Sequence, residues 1–344
     1  MTIPSLPMPL PSPPPSRAAR TPARTPSPSP SPSPSPSPSA SPPSSAYGQL
    51  LARLCERSVT KHHDAYADVD WDRPEHRIDA RDPRFALGDD EPLADTAWYR
   101  AQPADVRARL GLHLLASRTR IGIAFENILS RGLLEFAGTC PRGSLEFRYA
   151  HHEVIEESQH SMMFQELVNR IGIDVDGMRA LDVMGARGVP RLGRVFPELF
   201  FLHVLAGEAP IDAVQRRALE RGRDAHPLVR RIMQIHVTEE ARHVCFASRF
   251  LEDRVPRLGP LARAKLRVLA PFVVRGTAAS MLRLPADVLR AEGVPKGAVR
   301  AAYASPLHAA QTVEGLAPVL SLCERIGLVT PRTAPLWRWM GIAS

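Results

Sequence analysis

From about Ala46 onward, apolar positions recur at the three- and four-residue spacing of helices, and no convincing run alternates as a strand does. The pattern predicts a short helix from Tyr47 to about His62, then a polar loop from Asp64 to Asp95 broken by Pro74, Pro83 and Pro92. Pro103 opens a long helix from Ala104 to about Phe136, which Gly138 stops. A second long helix covers Ser144 to Ile171 and ends at Gly172. A third covers roughly Leu192 to Arg221, with Pro197 and Pro210 complicating its ends, and a fourth runs from Pro227 to about Leu251. Further helices are expected over Leu261–Leu284, Ala286–Ala291 and Pro306–Ile326. The expected class is all-α, with the four long helices forming a bundle and the others added around it.

Composition sets off the N-terminus. Residues 1–45 hold 17 of the 35 prolines and neither an aromatic nor an acidic residue, and residues 27–39 are almost strict Ser-Pro alternation. Such a segment has no apolar surface to offset its ordering entropy, so a disordered Pro/Ser-rich tail is expected at 1–45 and a folded domain at 46–344. Three of the eight net positive charges come from Arg17, Arg20 and Arg24 in that tail; the rest are arginines interleaved with acids. That argues for solvated helix faces and against a nucleic-acid partner. Cys55, Cys140, Cys245 and Cys323 are widely spaced and form no CxxC pair, as reduced thiols of a cytoplasmic protein would be. Prolines interrupt any secretory apolar core, and no apolar stretch reaches 18 residues, so no membrane partner is expected.

Chemistry enters through a local echo. Glu156-Glu157-Ser158-Gln159-His160 and Glu239-Glu240-Ala241-Arg242-His243 both lie in mid-helix, and each holds a Glu-x-x-His. Residues i and i+3 share a helix face, so Glu157 with His160, and Glu240 with His243, can each grip one cation. Bundles that hold two metal ions add one inward glutamate from each of two other helices. Glu126 stands in the apolar stretch Ile121-Gly-Ile-Ala-Phe-Glu-Asn-Ile-Leu129, and Glu208 follows Phe200-Phe-Leu-His-Val-Leu-Ala-Gly207. An ionised carboxylate in an apolar stripe is costly unless paired or metal-bound. His236, four residues before Glu240, adds a third imidazole on that face. The candidate ligands are Glu126, Glu157, His160, Glu208, His236, Glu240 and His243. Oxygen donors mixed with imidazole suit iron or manganese, and two divalent ions neutralise four carboxylates. Glu156 and Glu239 either receive the outer ring N–H of a ligand histidine from a neighbouring helix or face solvent. His151, His152 and His203 are not expected at the site, and Met162 and Met163 read as core. Pro210, so close to Glu208, marks either a helix disruption that frees the carboxylate or an ordinary helix end.

These residues resemble the p-aminobenzoate N-oxygenase family, over roughly Asp68 to Ile326. The resemblance rests on Glu126, on Glu157-Ser-Gln-His160, on Glu208 and on His236-Val-Thr-Glu-Glu240-Ala-Arg-His243, and more weakly on Tyr66-Ala-Asp-Val-Asp-Trp71-Asp and Trp98-Tyr-Arg-Ala-Gln-Pro103. The extra histidine at 236 separates this pattern from ferritins and from ribonucleotide reductase small subunits. Two departures stand out: family members often carry Asp where Glu239 stands, and the Ser-Pro tail lies outside the family pattern. The resemblance implies a ferritin-like bundle holding two iron ions (Fe2+/Fe3+, with manganese possible). Glu157 and Glu240 would bridge them. Glu126 and His160 would complete one iron, and Glu208, His236 and His243 the other. It further implies O2 as co-substrate, an external electron donor, a small aromatic amine substrate oxidised at nitrogen, and a homodimer. Two alternatives stay open: a di-iron hydroxylase or desaturase acting on carbon, and a non-catalytic ferritin-like iron-binding protein. The ligands alone do not separate them, because the pocket decides.

Overall fold

The computed structural model describes residues 45–342 apart from Arg221; the expected tail at 1–44 lies outside the described residues. The helices are α1 (Ala46–Thr60), α2 (Ala97–Arg100), α3 (Ala104–Ala137), α4 (Leu145–Ile171), α5 (Ala180–Ala186), α6 (Val189–Val195), α7 (Pro197–Glu220), α8 (Pro227–Arg254), α9 (Pro260–Met281), α10 (Ala286–Ala291), α11 (Lys296–Ala304), α12 (Pro306–Arg325) and α13 (Ala334–Trp339). No strand occurs among the described residues, so the protein is all-α.

Local chemistry places the ends of the site helices. The Ser144 hydroxyl accepts a hydrogen bond from the Phe147 N–H at 3.1 Å and starts α4. Gly172, at φ 69°, closes α4 in the left-handed conformation that a side chain resists. Pro227 sits in the first turn of α8, where its missing N–H costs nothing.

Along α4 the buried residues run from Tyr149 through Glu153, Glu157 and His160 to Phe164 and Leu167. Along α8 they run from Ile232 and Ile235 through His236, Glu240 and His243 to Phe246 and Phe250. Tyr149, Phe246 and Phe250 belong to one apolar cluster, which also takes Phe136, Phe200 and Phe201; Phe164, Leu167, Ile232 and Ile235 belong to another. The two helices meet these clusters in opposite order, so they pack antiparallel. Their acids and imidazoles fall between two apolar plugs. The first plug is aromatic: Phe136 meets Phe201 and Phe250 edge to face, with centroids 5.1 and 5.2 Å apart.

Several sequence expectations need correction. The third long helix is two: α6 and α7 are separated at Phe196, where the backbone turns to φ −157° and ψ 68°. Pro197 begins α7 instead of disturbing it. Pro210 neither ends nor disrupts α7, which continues to Glu220; Gly315 of α12 packs against it. Helices α2, α5, α11 and α13 were not expected, being short, from four to nine residues. The Asp64–Asp95 segment is free of α-helix as expected, but it is no solvated loop. Val69, Trp71, Phe85 and Leu93 are buried, and the Trp71 indole N–H donates to the Ala65 carbonyl at 2.8 Å. Among the described residues, no helix is long and apolar enough to cross a membrane.

Candidate metal centre

The structure brings all seven predicted side chains together, from α3 (Glu126), α4 (Glu157, His160), α7 (Glu208) and α8 (His236, Glu240, His243), and every one of them is buried. His160 Nδ1 faces three carboxylates: Glu240 at 3.5 Å, Glu157 at 3.6 Å and Glu126 at 3.9 Å. His243 Nδ1 lies 2.9 Å from Glu240 and 3.2 Å from Glu157, so it addresses both of the carboxylates expected to bridge. His236 Nε2 is 3.3 Å from Glu126 and 3.9 Å from Glu240. His236 also groups with Glu208 and Glu240 within metal-ligand reach, while Glu126, Glu157, His160 and Glu240 form a neighbouring group. His236 thus stands between the two groups, nearer to Glu126 than the expected division of ligands implied.

The centre is tested for a metal by its unmatched atoms. Glu126 Oε2, both Glu157 oxygens, His160 Nδ1, Glu208 Oε1 and Glu240 Oε2 are buried and make no hydrogen bond. Buried polar atoms are otherwise almost always paired, and so many orphans at one point, all of types that ligate iron or manganese, fit a pair of cations.

Without cations the cluster balances itself with protons. Burial pushes the Glu208 carboxyl well above its usual range, and the charges of Glu240 and Glu157 add to that. Burial pushes the His160 imidazole down, but the carboxylates of Glu157 and Glu239 outweigh it and hold it up at about 9. His243 is likewise raised, Glu240 and Glu153 overcoming burial. Protonated imidazoles therefore stand where metal charge would. Loading would displace those protons.

The outer face of the site is cross-braced. His243 Nε2 donates to Glu156 at 2.7 Å, and His160 Nε2 donates to Glu239 at 2.9 Å. The first glutamate of each motif thus fixes the histidine of the other motif, which decides between solvent exposure and ring support for both acids. Arg242 reaches Glu156 at 2.9 Å and Glu239 at 3.4 Å, tying the braces together. The backbone N–H and ring Nδ1 of His63, in the segment after α1, each lie 3.0 Å from Glu239. On the third histidine, His236 Nδ1 lies 2.9 Å from the amide oxygen of Gln215.

Gln215 and Glu153, both at the site, escaped sequence reading, as did His63. Gln215 lies on α7 two turns beyond Glu208, and only the fold aims it at His236. Glu153 is fully buried one turn before Glu157, with both oxygens unpartnered, and it groups with Glu157 and His243. Burial pushes its carboxyl up to about 8 despite His243. Its neighbours His151, His152 and Val154 give it the look of a mixed helix face, so the i, i+4 relation to Glu157 was the one available sign. His203 lies outside the site as expected: it meets the Thr277 hydroxyl at 2.8 Å and lies against Phe125.

Beside the metal groups lies a cavity of about 160 Å³. Glu126, Glu208 and His236 form part of its wall; most of the remainder is apolar, including Phe125, Phe164, Ile211, Val229 and Ile232. Gly207 makes room for this arrangement, since a Cβ there would lie 2.0 Å from the Phe125 ring.

The model of the family described as P-aminobenzoate N-oxygenase AurF matches residues 44–327, most of the chain. Among similar proteins are uncharacterized proteins of Mycobacterium bovis and Mycobacterium tuberculosis. Each is 36% identical over 293 residues, covering 85% of this chain and 86% of the relative. With the family pattern of acids and histidines gathered in one buried centre, and the match spanning every helix that supplies them, the chain belongs to the AurF family of di-iron oxygenases.

Proposed function

We propose that this protein is a di-iron oxygenase that oxidises the nitrogen of a small aromatic amine. The observation that carries the reading is the cavity: about 160 Å³, apolar, and walled on one side by Glu126, Glu208 and His236. An apolar cavity of roughly 150 Å³ accommodates a benzene ring, so this one suits a single aromatic ring. A site built for iron storage has no use for such a chamber beside its ligands.

Glu126, Glu157, His160, Glu208, His236, Glu240 and His243 would hold two iron ions, with manganese the alternative. When bound, the metal pair supplies O2 activation. The chain's own part is placement and dryness. Phe125 and Phe164 flank the chamber and would hold a ring with its amine toward Glu126 and Glu208. Gln215 fixes His236, while Glu156 and Glu239 keep the other two imidazoles aimed inward. The balance of the first oxidation is amine plus O2, two electrons and two protons, giving hydroxylamine and water; the electrons come from an external donor. Repetition would carry the nitrogen to nitroso and nitro.

The test is an iron count on the purified chain, followed by O2 uptake and product mass analysis with a panel of aromatic amines and a chemical reductant. The reading predicts two irons and products that carry new N–O bonds. New C–O bonds instead would move the assignment to a carbon oxygenase. Two irons with no O2 consumption under any amine would defeat it.

A further inference from the structure

The charges along the cavity wall narrow the substrate class, on the basis of the arylamine reading above. Among the described residues, the wall carries one cation other than histidine, Arg118. It lies on α3 eight residues before Glu126, which at helical rise is about 12 Å along the axis. Its guanidinium is already engaged two-toothed by Glu91, Nη1 to Oε1 at 2.5 Å and Nη2 to Oε2 at 2.9 Å. Such a fork-to-fork pair uses both carboxylate oxygens and neutralises the guanidinium. Glu91 is buried and belongs to the irregular segment before α2, where it also borders a smaller cavity shared with Arg118, Tyr303 and Gln311. The remaining charged groups on the main cavity wall, Glu126 and Glu208, are acids that metal binding would consume. A ring bearing a carboxylate would therefore enter an apolar chamber where the one guanidinium among the described residues is taken, and a buried anion without a partner is strongly disfavoured.

We infer that the substrate is an uncharged aromatic amine, and that Glu91, by holding Arg118, excludes ring carboxylates such as p-aminobenzoate. Arg118 and Glu91 thus set specificity without touching the reacting nitrogen. The clearest probes are p-aminobenzoate and 4-aminobenzamide, which are nearly the same shape and differ in charge.

The experiment is equilibrium binding of each probe to the metal-loaded full chain without reductant, read by calorimetry. The wild type should bind the amide at least ten-fold more tightly than the carboxylate. Glu91→Gln removes the principal counter-charge of Arg118 and should tighten p-aminobenzoate at least ten-fold, with little change for the amide. The double variant Glu91→Gln with Arg118→Gln should restore the wild-type order. The wild-type comparison needs no variant, so it decides even if one fails to fold. Equal or tighter wild-type binding of p-aminobenzoate, or binding of neither probe, would overturn the inference. Because binding is read apart from oxidation, that result is distinct from the failure of all amines to be oxidised, which would overturn the function itself.

Discussion

A histidine that ligates a metal through one ring nitrogen must be held through the other, and here His160 and His243 are each braced from the opposite motif, while Gln215 braces His236. Glu156 holds His243 at 2.7 Å, with Arg242 clamping the free oxygen of Glu156 at 2.9 Å. Loss of such an outer partner typically costs 10- to 100-fold in metal affinity or activity. Glu156→Gln keeps the shape and removes the charge, so metal affinity should fall about ten-fold, at the lower end of that range; competitive titration against a chelator measures it. An unchanged affinity would mean that packing alone orients His243. His203 makes a second residue-scale case. Burial pushes its imidazole down to about 4, so it stays neutral in the fold while the unfolded chain protonates near pH 6.5. The depressed value means that stability is intact above about pH 6.5 and is lost as pH falls toward 4, by at most ~3 kcal/mol. His203→Gln cannot take that proton, and its melting temperature should fall less than the wild type's between pH 6.5 and 4.5. Parallel slopes would show that other groups govern the acid limb. The gathering of the seven acids and imidazoles was legible because i, i+3 and i, i+4 spacings are local and an acid in an apolar stripe needs a reason. The braces from Gln215 and His63 and the pairing of Arg118 with Glu91 join residues far apart in the chain, and no local spacing encodes them.

At the scale of elements, two close approaches decide how α3, α6 and α7 sit. A Cβ on Gly193 of α6 would lie 2.0 Å from the Gly132 carbonyl of α3, and one on Gly132 would lie 2.1 Å from the Phe200 ring of α7. The α3–α6 contact is backbone on side-chain-free backbone, so it has no flexible partner to give way. Gly193→Ala should therefore cost about 1–3 kcal/mol, the usual range for overpacking, readable by urea denaturation. A loss under about 0.5 kcal/mol, the range of ordinary surface changes, would mean that α6 shifts freely. This pair also shows why the third long helix was misread. Periodicity runs on through Leu192 to Leu205, while the break at Phe196 is set by where α6 must lie against Gly132. Pro210 misled in the opposite direction. Proline removes one helical N–H from α7, but the packing of Gly315 from α12 against it supports the helix from outside. The long helices were legible because their caps and stops are local: Ser144, Gly172, Pro227. Short helices such as α5, which buries no residue, leave no apolar stripe to read.

For the whole molecule, the centre is where the fold stores its unfavourable charge. Four carboxyl groups from four helices meet between the two apolar plugs, and in the metal-free chain their charge is offset by the proton that burial keeps on Glu208 and by those on His160 and His243. Each cation bound there joins helices that otherwise repel at that point, so metal should stabilise the bundle as a unit. An ion at 100 times its dissociation constant adds ~2.7 kcal/mol, and 1 kcal/mol moves the melting point of a 150–250-residue domain by about 2–4 °C. Loading should then raise the melting temperature by roughly 5–10 °C per site, with the larger size of this chain favouring the lower figure. The pH dependence has a definite sign. His160 is held up at about 9 without metal, so a cation must displace its proton, and below that pH each step downward raises the cost of displacement. At a fixed, limiting metal concentration, the melting temperature gained on loading should be smaller at pH 6 than at pH 8, and calorimetry with and without chelator at both values measures it. A gain equal at both pH values would mean that the ions bind without releasing these imidazole protons. No gain at either would mean that the four carboxylates are already balanced without metal.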